Sequence, residues 1–268
     1  MTTRRAAVAG YFYPADSDEL RAALALLVPT GVAKTPAAAL VVPHAGYRYS
    51  GAVAGATYAR VQIPSVVIVL GPNHAGRGAT VAYQRGGQWE TPLGGIPVDE
   101  RLATYLERTG KLFRDDEESH RQEHSIEVQL PFLQFLRPDV RFVPIGLSTA
   151  DPNELRDVGT AIAGAIAQYK DPVLVVASTD FSHDETEDDA RAHDAQAIAD
   201  IEALDSAKLL EHVFETPVTM CGFAAVCATM TAAKARGATR ATLVGRATSG
   251  DVTGDRRSVV GYAGMVLS

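Results

Sequence analysis

Four short apolar runs, Ala39–Pro43, Val66–Leu70, Arg141–Leu147 and Val173–Ala177, contain almost no polar residue. A strand with one wet face alternates apolar and polar residues; a strand covered on both faces loses that alternation. These runs therefore need helices above and below them. The intervening segments supply the helices. Ser50–Val61 is rich in small residues, and Val98–Arg108 puts Leu102, Tyr105 and Leu106 on one stripe. Ser125–Leu136 carries Ile126, Leu130 and Leu133 at helical spacing, with Pro131 expected to kink the helix or restart it. Pro152–Tyr169 and Glu187–Leu204 read as further amphipathic helices. Ala241–Val244 and Val259–Leu267 read as closing strands. Strands alternating with helices predict an α/β fold, with a central, mainly parallel sheet flanked by helices on both faces. No repeat, low-complexity stretch or long linker divides the chain. The densest charge run, Asp115–Glu118, reads as a loop leading into a helix. One domain over residues 1–268 is expected.

Three of the runs end alike. LVVPHAGYRYSG places His44 after the first, VVIVLGPNHAG places Asn73 and His74 after the second, and VLVVASTDFSH places Asp180 and His183 after the last. Open α/β sheets bind ligands at the carboxyl ends of their strands. Parallel strands would bring these side chains to one edge. A single histidine at a strand end is ordinarily a loop residue; repetition on three strands points to a shared cleft. Imidazole is a common neutral metal ligand. Asp180 can be a simple turn or cap residue, or it can polarise His183 for acid–base work.

Cys221 opens an apolar helical stretch, CGFAAVCATMTAAKARG. A thiol at the positive end of a helix dipole has a lowered pKa, which favours metal ligation or redox chemistry. Cys227, between Val226 and Ala228, reads as a core residue. Six residues of helix rise ~9 Å, beyond the ~7 Å reach of a disulfide, so both thiols are expected to be free. EHSIEVQLPFLQ places Glu123, His124 and Glu127 at a helix start. Dipole complementation, with Ser125 as a cap, accounts for the glutamates, whereas His124 is expected to line the cleft. His120, His193 and His212 read as surface or face-packing residues without ligand-spaced partners.

The chain carries a formal net charge of −7 and a pI near 5.5, which argues against nucleic-acid binding. The first residues lack the apolar core of a secretory signal, and no apolar run approaches the ~18–20 residues of a membrane span. With two free thiols, a reducing, cytoplasmic location is expected. A 268-residue chain can bury a large core unaided, so a metal would serve function rather than rescue the fold.

YFYPAD, VPHAGYRYSG, LGPNHAG, EHSIEVQLPFLQ, STDFSH and the CG before an apolar helix occur in the order seen in Memo proteins, whose microbial members are called AmmeMemoRadiSam system protein B. The chain resembles that family over nearly its whole length. The resemblance implies a fold similar to class III extradiol ring-cleavage dioxygenases, which are non-haem iron enzymes. It implies His44, His74 and Cys221 as metal-binding positions, with Asp180 and His183 beside them in the cleft, His183 standing where the dioxygenases hold an acid–base histidine. It implies Fe(II) or Cu as the cofactor, with Zn as an alternative, and redox or oxygenase-like chemistry. AMMECR-type and radical SAM proteins are the partners it suggests. The ring-cleaving relatives use two histidines and a carboxylate, a facial triad; a thiolate in third place makes catechol cleavage doubtful.

Two other classes stay open. A binding module would use the same cleft for a small molecule, peptide or protein, with Tyr11, Tyr13, Tyr47, Tyr49 and Arg48 as anchors. A hydrolase is disfavoured, since neither a G-x-S-x-G elbow nor a P-loop is present.

Overall fold

The computed structural model describes residues 2–216 and 218–268. Along the first half of the chain run β1 (Thr3–Arg4), α1 (Ser17–Leu27), β2 (Ala39–Val42), α2 (Tyr47–Ala59), β3 (Val66–Pro72), β4 (Val81–Tyr83), β5 (Gln88–Thr91), β6 (Gly94–Pro97), α3 (Glu100–Thr109), β7 (Arg114–Asp115) and α4 (Glu117–His120). A 3-10 turn (Glu127–Gln129) then leads into α5 (Leu130–Leu136), β8 (Arg141–Leu147), α6 (Pro152–Gln168), β9 (Val173–Ser178), β10 (His183–Glu185) and α7 (Glu187–Glu202). The chain continues through α8 (Ser206–Glu215), α9 (Phe223–Ala235), β11 (Ala241–Thr248), α10 (Gly250–Thr253) and β12 (Val259–Leu267).

The main sheet has the order β10-β12-β2-β9-β3-β8-β4-β7, with β11 also pairing β12. Its centre, β2-β9-β3-β8, is parallel throughout. Strand β12 runs antiparallel to β2, and β4 antiparallel to β8. A small separate sheet, β1-β5-β6, ties the first residues to the body. The chain passes from β2 through α2 to β3 and leaves a gap that β9 fills about a hundred residues later. The carboxyl ends of β2, β9 and β3 are thus consecutive along one edge, with Val42 opposite Ser178 and Leu70 opposite Ala177.

The apolar runs behave as two-faced strands. Val41, Ile68, Leu70, Val175 and Ala177 point to one core with the residues of α3, α6 and α9. Leu40, Val42, Val67, Val69, Leu174 and Val176 point to the other, under α1, α2 and α5. Helix starts follow local chemistry: Asp16, Asp99 and Asp151 cap α1, α3 and α6 through their carboxylates, and Thr186 caps α7. Pro131 restarts a helix, as its missing N–H predicts: the 3-10 turn ends there and Pro131 sits in the first turn of α5. Among the described residues no helix is long and apolar enough to cross a membrane.

Candidate metal centre

Three adjacent strand ends build the cleft. His44 follows β2, His74 follows β3 and Asp180 follows β9. The turn before α9 brings Cys221 over them. One ligand atom each from His44, His74 and Cys221 lies within 4.8 Å of the others. Cys221 Sγ is 3.4 Å from His44 Nε2. Gly222 explains how the cysteine gets so close. A Cβ there would stand 2.5 Å from Ser178 O and from Thr179 Cβ, so only glycine lets this turn lie flat on the end of β9. Its N–H donates to Thr179 Oγ1 at 2.9 Å. Gly71 does the same for β3, since a Cβ there would meet Ser125 Oγ at 2.5 Å.

Each imidazole is braced from behind. His74 donates through its backbone N–H to Glu123 Oε2 at 2.7 Å, and its Nδ1 lies 2.9 Å from Glu123 Oε1. The same carboxylate accepts the backbone N–H groups of His124 and Ser125. Burial works to raise the Glu123 pKa, but the hydrogen bond from His74 and the other donors bring it down to about 2. Glu123 is therefore ionised at neutral pH and His74 Nδ1 is the donor, the carboxylate–histidine arrangement common behind metals. Burial works to lower the His74 pKa, but Glu123 raises it, so a ligand at Nε2 competes with a proton there. His44 is only 2% exposed. Burial first, then its neighbours His124 and His74, hold its pKa well below the ordinary histidine value, so it is neutral, as a metal ligand must be. His124 lies against both rings: 4.6 Å from His74 in a stack, and 5.4 Å from His44 edge-on.

Several expectations need correction. Cys221 does not open the helix; α9 begins at Phe223. Its thiol is not acidified but pushed up to about 12, by burial first and then by the negative charge of Asp180. The hydrogen bonds to its sulfur from the Asp180 N–H and Thr179 do not offset the lost solvation. Asp180 does not hydrogen-bond His183. Its Oδ1 accepts the backbone N–H groups of His44 and Ala45, at 2.8 and 3.2 Å, and burial lifts its pKa to about 6 against those bonds. His183 is oriented instead by Thr219, whose carbonyl lies 3.1 Å from Nδ1. That carbonyl only accepts, so His183 Nδ1 donates, and Nε2 has no hydrogen-bond partner among the described residues.

Of the glutamates of EHSIEVQ, Glu127 stands in the first turn of the 3-10 helix as expected, but both carboxylates are committed to side-chain partners. Glu123 holds His74, and Glu127 is fully buried against Arg4 at 2.6 Å and Tyr13 Oη at 2.6 Å. Ser125 does not cap; its Oγ donates to Pro72 O. Of the two readings of His120, packing holds and surface does not: it is fully buried against Trp89, at 5.5 Å between ring centroids, with neither ring nitrogen partnered among the described residues. His193 and His212 each pair with a carboxylate, His193 with Glu185 at 2.6 Å and His212 with Asp200. Both cysteines are free, as expected. Of the proposed groove residues, Tyr11, Tyr13, Tyr47 and Arg48 line a shared groove, while Tyr49 sits beneath the Arg48 guanidinium.

Sequence reasoning missed Glu123 as the brace of His74, and it missed Ser178 and Gln129 beneath His44. Glu123 adjoins His124 in a segment already singled out, and Ser178 opens STDFSH. Proximity in sequence to the candidate ligands was the only signal available.

The family described as Memo-like protein matches residues 4–266. A MEMO1 family protein of Methanopyrus kandleri is 43% identical over 98% of both chains. Another from Methanothermobacter thermautotrophicus is 40% identical over 97% of this chain and 98% of its own, and one from Thermotoga maritima is 38% identical over 98% of this chain and 99% of its own. The crystal structure of an uncharacterized Escherichia coli K12 protein shares the fold at 11% identity, with a TM-score of 0.58 over 86% of this chain and 99% of that one.

Proposed function

The chain belongs to the Memo-like protein family, and from that premise we propose that its strand-end cleft binds redox-active iron or copper through His44, His74 and Cys221. The observation that carries this reading is the convergence of two imidazoles and one thiol within 4.8 Å, at the sheet edge where α/β proteins bind ligands. The donor set suits the group. Two nitrogens and a soft sulfur favour Fe(II), Cu(I) or Zn over hard, oxygen-loving cations. His74 has its Nδ1 committed to Glu123, and Cys221 Sγ takes the backbone N–H of Asp180 at 3.3 Å, a bond that favours the thiolate a metal would require.

Bound there, iron or copper would supply one-electron redox and Lewis-acid chemistry. The chain's own residues would do the rest. Asp180, with a carboxyl near pH 6, holds a proton under mildly acidic conditions and shapes the loop of His44 through Oδ1. His183 offers Nε2 as a proton acceptor because Thr219 fixes its Nδ1–H. His124 packs on both ligand rings and limits their rotation. AMMECR-type and radical SAM proteins are the partners this reading carries with it.

The test is elemental analysis of protein purified without air or chelator. Near-stoichiometric iron or copper, lost in folded His44→Ala and Cys221→Ala, supports the reading. Well-folded wild type that holds no metal and cannot be reloaded with Fe(II) or Cu(I) sinks it.

A second reading, a peptide-binding module, rests on one observation. A groove of about 770 Å³ is lined by Tyr11, Phe12, Tyr13, Leu26, Tyr47 and Arg48, and Phe12 joins it to the cleft through its ring, 4.7 Å from His124. Peptide binding that survives chelation would favour this second role.

A further inference from the structure

Ser178 ends β9 beneath His44 and is fully buried. Three groups surround its hydroxyl oxygen: Ser125 O at 2.6 Å, Gln129 Nε2 at 2.8 Å and His44 Nδ1 at 3.0 Å. A hydroxyl has one hydrogen and two lone pairs. Ser125 O is a carbonyl and only accepts, so the single hydrogen lies on that line; two bare oxygens at 2.6 Å would repel. The orientation of Gln129 is fixed as well. Its Nε2 also faces the carbonyl of Pro43 at 2.9 Å, and its Oε1 accepts from Tyr58 Oη at 2.9 Å. Gln129 therefore donates to Ser178 Oγ and takes one lone pair. The remaining lone pair faces His44 Nδ1, which must be the donor.

We infer that Ser178, locked by Gln129, is a positioning residue that fixes His44 in the Nδ1–H tautomer and presents a bare Nε2 to the cleft. The other tautomer would aim Nε2–H at Cys221 Sγ, 3.4 Å away, and would spend the lone pair a metal needs. The two ligand histidines are thus prepared alike by different means. His74, half-exposed, is held by a carboxylate; His44, almost fully buried, is held by a neutral hydroxyl. A carboxylate in place of Ser178 would add one more buried charge to those of Glu123 and Asp180, at a further desolvation cost. The carbonyls of Ser125 and Pro43 set the polarity of the whole chain of bonds, and neither can reverse.

The consequence for binding rests on the metal reading, whereas the tautomer does not, so the two can fail separately. Protein labelled with 15N-histidine and freed of metal by chelation is examined by long-range 1H–15N spectroscopy, with His44 assigned by its absence in His44→Gln. The expected pattern is a protonated Nδ1 and an unprotonated Nε2. Cu(I) affinity is then measured by competition with a chromophoric chelator for wild type, Ser178→Ala and Ser178→Thr. Folded Ser178→Ala is expected to bind about 10- to 100-fold more weakly and to show mixed His44 tautomers, while Ser178→Thr keeps the hydroxyl and retains both properties. An Nε2–H signal for His44 in wild type overturns the inference even if Ser178→Ala does not fold. Folded Ser178→Ala with unchanged tautomer and affinity also overturns it. Wild type that shows the Nδ1–H tautomer but takes up no Cu(I) leaves the inference standing and counts against the metal reading.

Discussion

Glu123 and Glu127 are four residues apart in one segment, both buried, and put to opposite uses. Around Glu127 the hydrogen-bonding account is closed. It accepts from Arg4, Tyr13 Oη and the backbone N–H groups of Ala7 and Val8. Arg4 in turn donates to the carbonyls of His120 and Glu123, both at 2.6 Å, and lies 4.0 Å over the Trp89 ring. Around Glu123 the account is left open on one side. The carboxylate braces His74 from behind, and the forward nitrogen of that ring faces the cleft with His44 and Cys221. Buried polar groups whose valences are all spent on one another are structure. Buried groups held so that a lone pair remains unspent are a site.

The largest expected effect breaks the closed side. Glu127→Ala strands the Arg4 guanidinium in the interior, and breaking a buried ion pair from one side costs about 3–5 kcal/mol. Urea denaturation should show a loss of that size, while the folded fraction should match wild type in any uptake of Fe(II) or Cu(I). A loss below about 1 kcal/mol would mean that the first residues are not held by this pair.

Next in size is a pH effect beside the same pair. His120 lies buried with its pKa lowered to about 4, by burial first and then by the Arg4 charge. The unfolded chain takes up this proton near 6.5 and the folded chain only near 4, so stability falls as pH drops through that window and flattens below it. The full effect is about 3 kcal/mol. His120→Leu should lack this slope in denaturation measured from pH 7 to pH 4; the same slope in wild type and variant would assign the acid loss elsewhere.

The smallest effect on stability tests the open side. Glu123→Ala removes the acceptor of His74 and of two backbone N–H groups, at about 1–3 kcal/mol. Its larger signature should be metal affinity, about 10- to 100-fold weaker. Stability lost with affinity unchanged would place Glu123 with Glu127 as a purely structural group.

The elements were largely legible in the sequence. Arg141–Leu147 and Val259–Leu267 appear as strands with the expected bounds, and the restart at Pro131 is where a missing N–H requires it. His44, His74 and Cys221 were also legible as a group, and the structure brings their ligand atoms together. The braces were not. Arg4 meets Glu127 across 123 residues, Gln129 meets Ser178 across 49, and the backbone of His44 meets Asp180 across 136. A glutamate at a helix start reads as a dipole partner, and an aspartate near a histidine reads as its orienting group, until distant elements supply stronger claims.

Apolar periodicity and proline act over a few residues, so the sequence by itself determined the central strands, most of the helices packed on them and which residues stand at the strand ends. Only the tertiary structure decided which protons those residues carry and what holds them. Those properties depend on the order β2-β9-β3, on a glycine that lets one turn lie against a strand, and on how far burial outweighs a nearby charge. Each is a sum over neighbours that the chain brings together only by folding.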